Sequence, residues 1–156
     1  MLKIVTLVLS HLIFALGGFA IGVYALPILM APESPDSEEI ARLQTQSSFN
    51  GQFRRDLTGS DFLHWGDGQV SISNEAVTLM GSIAPGPDYR LYLSPEFVQT
   101  EEEFIALKEA MVQIGPVNTF DNFIVPFAAG VDPAKYTTVV IWCEAFGEFI
   151  TAARYQ

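Results

Sequence analysis

The chain has 156 residues, with 8 basic and 18 acidic side chains, a formal charge of −10 at pH 7 and a single cysteine. That length suits one domain of ordinary size. The acidic balance, with no basic stripe, excludes nucleic acid as a partner and disfavours charge-driven attachment to anionic lipid, and a lone cysteine excludes a disulfide within the chain.

The first element is apolar. From Ile4 to Met30 there is no charged residue, and Thr6, Ser10 and His11 are the polar interruptions of the first half. As a helix this run rises roughly 40 Å at about 1.5 Å per residue, enough to cross a hydrocarbon core of about 30 Å with tilt. Residues 1–30 are therefore read as a transmembrane anchor. The competing reading is a cleaved signal peptide with Val23 and Ala25 at the small positions, but its apolar stretch would normally be much shorter. Lys3 alone is basic before the span, and Glu33, Asp36, Glu38 and Glu39 follow it, so the N-terminus is expected in the cytoplasm and the rest outside. All eighteen acidic residues and seven of the eight basic ones lie beyond the span, a formal −11 for the exported part. Gly18 and Gly22 have the small-xxx-small spacing that lets two such helices approach, which allows a weak helix-mediated dimer. His11 is an ionisable group at membrane depth, read as a tolerated neutral histidine rather than a functional one.

Residues 31–47 begin with the Pro-rich acidic stretch 31–39, which buries little and reads as a linker, and continue into a short helical stem from Ile40 to Leu43. From residue 48 to 156 short β-rich runs alternate with Gly, Pro, Asn and Asp. Strands are expected over 48–54, 69–73, 76–80, 90–94, 111–114, 120–126, 136–143 and 148–152. The predicted fold is all-β, one sandwich or barrel-like domain of about eight short strands with one short helix. That helix spans 101–110, with Thr100 as N-cap, Glu103 completing a capping box, and Phe104, Ile105, Leu107 and Met111 as its apolar face. Tyr136 to Cys143 is apolar on both faces after its first turn and reads as a central strand, with Val139, Ile141 and Cys143 on one side and Val140 and Trp142 on the other.

Several segments resemble a known family. They are Gly51 to Phe53, His64 to Val70 (His-Trp-Gly-Asp-Gly-Gln-Val), Gly86 to Leu93 (Gly-Pro-Asp-Tyr-Arg-Leu-Tyr-Leu), Ile114-Gly115, Val125-Pro126 and Tyr136 to Phe146, which contains Ile-Trp-Cys. In this order they resemble the DM-thirteen domain, an electron-transfer domain of Skeletor-like proteins, over most of residues 48–153. The resemblance implies a small β-rich extracytoplasmic domain whose signature cysteine, matching Cys143, serves redox chemistry or holds a prosthetic group. The chain departs from the family at Asp121-Asn122-Phe123, where the family tends toward Gly-x-Gln-x-Tyr.

On chemistry alone, Cys143 has apolar neighbours with Glu144 beside it, the setting of an inert buried thiol rather than a reactive one. His64 lies in a Gly-bounded polar and aromatic loop and is the other candidate for redox or cofactor duty; with Asp61, Asp67 and Cys143 it could form a metal site, although no ligand spacing supports one. Trp65 and Trp142 would support these groups. Asp88 and Arg90 would make the turn before a strand, or add a carboxylate and a guanidinium to a ligand rim. No familiar hydrolase, dinucleotide or phosphate-loop motif is present. Three functional readings remain, of which the metal site centred on His64 is the third. One is electron transfer through Cys143 or a bound group, haem or metal being open, with a redox partner protein. Another is a binding module with an aromatic surface of Phe53, Phe62, Trp65, Tyr89, Tyr92 and Phe97, in which Cys143 is core.

Overall fold

The computed structural model describes residues 1–156. Helix α1 (Leu2–Met30) is followed by α2 (Ser37–Gln44) and by strands β1 (Phe49–Phe53), β2 (Gly66–Ile72), β3 (Ala76–Ile83) and β4 (Tyr89–Ser94). Then come α3 (Glu101–Leu107), which ends in a 3-10 turn (Lys108–Ala110), β5 (Val112–Val117), β6 (Asp121–Pro126), β7 (Thr138–Cys143) and β8 (Glu148–Arg154). All eight strands fall where the turn-forming residues bracket them. The all-β expectation holds from residue 49 onward apart from α3 and the 3-10 turns, whereas the chain as a whole is substantially helical because of α1.

The strands form two antiparallel four-stranded sheets, in the orders β1-β2-β3-β6 and β5-β4-β7-β8. Their facing sides share one core. From the first sheet come Phe53, Val70, Ile72, Val77, Leu79, Phe123 and Val125; from the second come Tyr89, Leu91, Leu93, Val139, Ile141 and Cys143. Strand β7 lies between β4 and β8 and is buried along its whole length, as its two-sided apolar pattern requires. Alternation sends Val140 and Trp142 to the opposite face, where Phe104 of α3, Leu57, Tyr92, Val98 and Phe149 form a second apolar cluster. Trp142 and Phe104 stack there, with ring centroids 4.0 Å apart and planes at 9°.

Helix α3 starts as its sequence dictates, Thr100 accepting from the Glu103 amide at 3.3 Å. The Glu103 carboxylate turns back to the Gln99 amide at 2.6 Å, one residue earlier than the simplest capping box. Phe104 is buried and Leu107 and Met111 pack against the second cluster, but Ile105 is 63% exposed. The helix is only two turns long and lies on the sheet along a narrow stripe, so its expected apolar face is narrower by that residue.

The linker is shorter than its composition suggests. Asp36 caps α2 by accepting from the Glu39 amide at 2.7 Å, and Ile40 is fully buried against the domain. Asn122, in the segment that departs from the family pattern, adopts a left-handed backbone with φ 50°. Its Oδ1 accepts from the Gly81 amide at 3.1 Å, and its Nδ2 donates to the Pro35 carbonyl at 3.2 Å. One side chain thus covers the irregularity in the β3–β6 pairing between Leu79 and Ser82 and ties the linker to the sheet.

Helix α1 contains no buried residue and has an 18-residue window of mean hydropathy 2.3, so it is long and apolar enough to cross a membrane. Its C-terminal third lies alongside the end of the domain that carries the Gly86–Asp88 turn and the β7–β8 turn.

Candidate functional site

Cys143 is the last residue of β7. It sits opposite Tyr89 on β4 and Glu148 on β8, and Gly147, at φ 70°, closes the turn by donating its amide to the Cys143 carbonyl at 2.9 Å. The thiol is 2% exposed and donates to the Pro87 carbonyl at 3.1 Å. Burial pushes its pKa up, and the Asp88 and Glu148 carboxylates add to this; the Ala145 and Phe146 amides pull the other way without prevailing. At neutral pH the group is a neutral thiol, not a thiolate. Glu144, its sequence neighbour, points to the other face of the sheet. There it accepts from the Tyr92 hydroxyl and from Lys108 Nζ, 3.0 Å from each carboxylate oxygen. Although burial opposes it, these partners hold the Glu144 carboxyl below the usual carboxylate range. Sequence adjacency to Glu144 is therefore not what disfavours the Cys143 thiolate.

The Gly86-Pro87-Asp88 turn leads into β4. Asp88 is left-handed, with φ 50°, accepts from the Glu144 amide on its carbonyl at 3.1 Å, and pairs through Oδ1 with Arg90 Nη2 at 2.6 Å. The pair braces the turn that carries the Cys143 acceptor. A Cβ at Gly86 would overlap the Tyr89 hydroxyl, so only glycine lets that ring lie flat under the turn. Tyr89 is 3% exposed, makes an edge contact with Phe120 at 6.1 Å, and its hydroxyl has no hydrogen-bond partner in the chain.

His64 is partly exposed. Its Nδ1 lies 3.1 Å from Asp61 Oδ2, while Asp61 Oδ1 accepts from the Leu63 and His64 amides at 2.7 and 2.8 Å. Asp61 is surface-exposed; burial slightly opposes its ionisation, but these bonds lower its pKa. The Arg55 guanidinium stacks on Trp65, 3.3 Å from the ring centroid, and Arg55 pairs with Asp67 at 3.3 Å.

These observations sort the expected residues. Cys143 and His64 both line one cavity of 640 Å³, together with Pro87, Tyr89, Phe146 and, from α1, Phe19 to Ala25 except Gly22. Trp142 lies on the opposite face of the sheet from Cys143, because neighbouring residues of a strand alternate. Asp67 belongs to the Arg55 pair. No three His, Cys, Asp or Glu side chains converge on one point, so the four expected metal candidates do not form a common ligand set. The expected aromatic surface is also dispersed. Phe53 and Tyr89 belong to the shared core and Tyr92 to the second cluster, while Phe62 is 85% exposed.

The cavity itself was not legible, since it needs α1, the turn before β4 and the β7–β8 turn together. The period-two pattern did hold part of it, because strand pairing places Tyr89 directly opposite Cys143.

No curated protein and no solved structure matches the chain. The family described as Electron transfer DM13 matches residues 52–155, which takes in every domain residue of the cavity. With two thirds of its length and the Cys143 strand inside that match, the chain belongs to the DM13 electron transfer family.

Proposed function

We propose that the protein is a membrane-anchored extracytoplasmic domain that takes part in electron transfer at the cavity beside Cys143. The observation that carries this reading is the position of the family's cysteine: the one thiol of the chain borders an apolar cavity shared by the domain and the apolar helix. The donor set argues against a metal held by protein ligands alone. Cys143 is protonated and tied to the Pro87 carbonyl, and His64 is the one imidazole on that wall. These two donors are joined by no third at one point, and a closed metal site needs three or four. The lining suits an apolar group bound next to the thiol.

What the residues of the chain do is hold and shield. Pro87 fixes the thiol by its carbonyl, the Asp88–Arg90 pair holds that turn, and the apolar wall keeps water from the sulfur. The test is an absorption spectrum of the full chain purified from its native membrane, before and after chemical reduction. A band present in stoichiometric amount that changes on reduction, and is altered in Cys143→Ala, is the expected result. A spectrum that reduction leaves unchanged in both proteins overturns the reading.

A further inference from the structure

Outside α1 the large apolar side chains that remain exposed are Phe62, Leu63, Ile105 and Phe146. Leu63 and Phe146 line the cavity, and the exposed Phe62 is the sequence neighbour of Leu63. The outer part of α1 lines the same space. Counted from Lys3, about 20 residues of helix fill the hydrocarbon core, which puts Tyr24 at the outer boundary, the level that suits its amphipathic ring. An apolar rim beside the emerging end of a membrane helix is a surface that meets lipid.

Inside the cavity one donor is unpaired. The Tyr89 hydroxyl belongs to a residue that is 3% exposed, sits on the wall and has no acceptor in the protein. The hydroxyl opens on the cavity instead of being sealed in the protein, so a ligand oxygen that replaces its water keeps the hydrogen bond while the rings around it gain apolar contact. Glu148 on the same wall and the acidity of the domain disfavour an anionic ligand. Phe19, Tyr24, Tyr89 and Phe146 offer ring faces. We infer that the cavity takes a neutral, lipid-soluble ring compound bearing carbonyl oxygens, a quinone in chemical class, which enters from the bilayer past Phe62, Leu63 and Phe146 and accepts a hydrogen bond from Tyr89. This rests on the electron-transfer reading for its purpose, but on the cavity for its chemistry.

The experiment uses the full chain in phosphatidylcholine nanodiscs and a benzoquinone carrying one isoprene unit, followed by tryptophan quenching, with a photoactivatable azido form to mark the site. Saturable quenching is expected, weakened about fivefold in Tyr89→Phe, the worth of one neutral hydrogen bond. Phe146→Ser should weaken it as well, whereas Ile105→Ser, on the far side of the domain, should not. The azido probe should label peptides containing residues 62–64, 85–89 or 143–148. Quenching that never saturates and is the same in every variant would mean partition into the bilayer and overturn the site. Equal competition by the isoprenoid tail without its ring would overturn the carbonyl assignment, and labelling centred on α3 would overturn the location. Saturable binding without any reduction-linked spectral change upholds the site and overturns the electron-transfer reading. A reducible chromophore in a chain that does not bind the probe overturns the site alone.

Discussion

Cys143 is the residue on which the proposed chemistry turns, and its environment sets a measurable limit. Its pKa is raised above the ordinary 9.0 chiefly by burial. Alkylation by iodoacetamide should therefore be much slower in the folded chain than in urea, with a rate still climbing beyond pH 9. A folded-state rate equal to that in urea at pH 8 would contradict the buried, protonated thiol. By linkage, a group whose pKa is raised on folding supports the fold below its unfolded value, and that support fades as pH rises through the folded one. Glu144 behaves in the opposite sense. Its pKa is lowered by Tyr92 and Lys108 against the opposing effect of burial, so its contribution is present above about 4.5, the ordinary value, and is lost as pH falls through the folded one. Glu144→Gln should flatten the acid limb of a stability curve measured below pH 5 while leaving alkylation of Cys143 unchanged, because the two side chains lie on opposite faces of the sheet. The Cys143 face was readable from period-two alternation. The Glu144–Lys108–Tyr92 contact was not, since it joins residues 36 positions apart or more through a helix whose path the sequence does not specify.

Among the elements, the eight strands were legible because each is bounded by turn chemistry and carries β-branched or aromatic residues. The two-sided apolar run of β7 marked it as central for a physical reason: only an interior strand needs apolar groups on both faces. The docking of α2 was not legible. Its composition is that of a solvated linker, and the contact depends on Ile40 and on an asparagine in β6 that reaches Pro35. Ile40 is fully buried, so Ile40→Ala should cost about 2–5 kcal/mol in denaturant unfolding of the full chain. A loss under about 0.5 kcal/mol would mean that α2 contributes nothing to the fold. The cavity escaped sequence reading for a similar reason, because its walls come from a helix and two turns that are far apart in the chain.

For the whole molecule, the proposed topology puts the short N-terminal tip in the cytoplasm and the sheets outside. Protease added to intact cells should cut the domain away, whereas protease added outside sealed inverted vesicles should spare it. An ectodomain protected in intact cells would place it on the wrong side for the function proposed. Resistance within the digest is also informative: the 31–36 stretch should be cut before the strands, because it has the least backbone hydrogen bonding of any segment between α1 and the sheets.

The bond from Asn122 to Pro35 sets how far the domain can stray. With that carbonyl held and α2 seated on the sheet, the free tether between the membrane helix and the domain is about four residues, residues 31–34, with a reach of at most ~14 Å. With α1 in the bilayer, as proposed, the domain stays seated beside the outer end of that helix and cannot rise from the lipid. Under the proposed function, a protein that exchanges electrons with the domain would have to come down to the headgroup layer, and its encounters would be a search in two dimensions along the membrane plane rather than through the volume of the compartment.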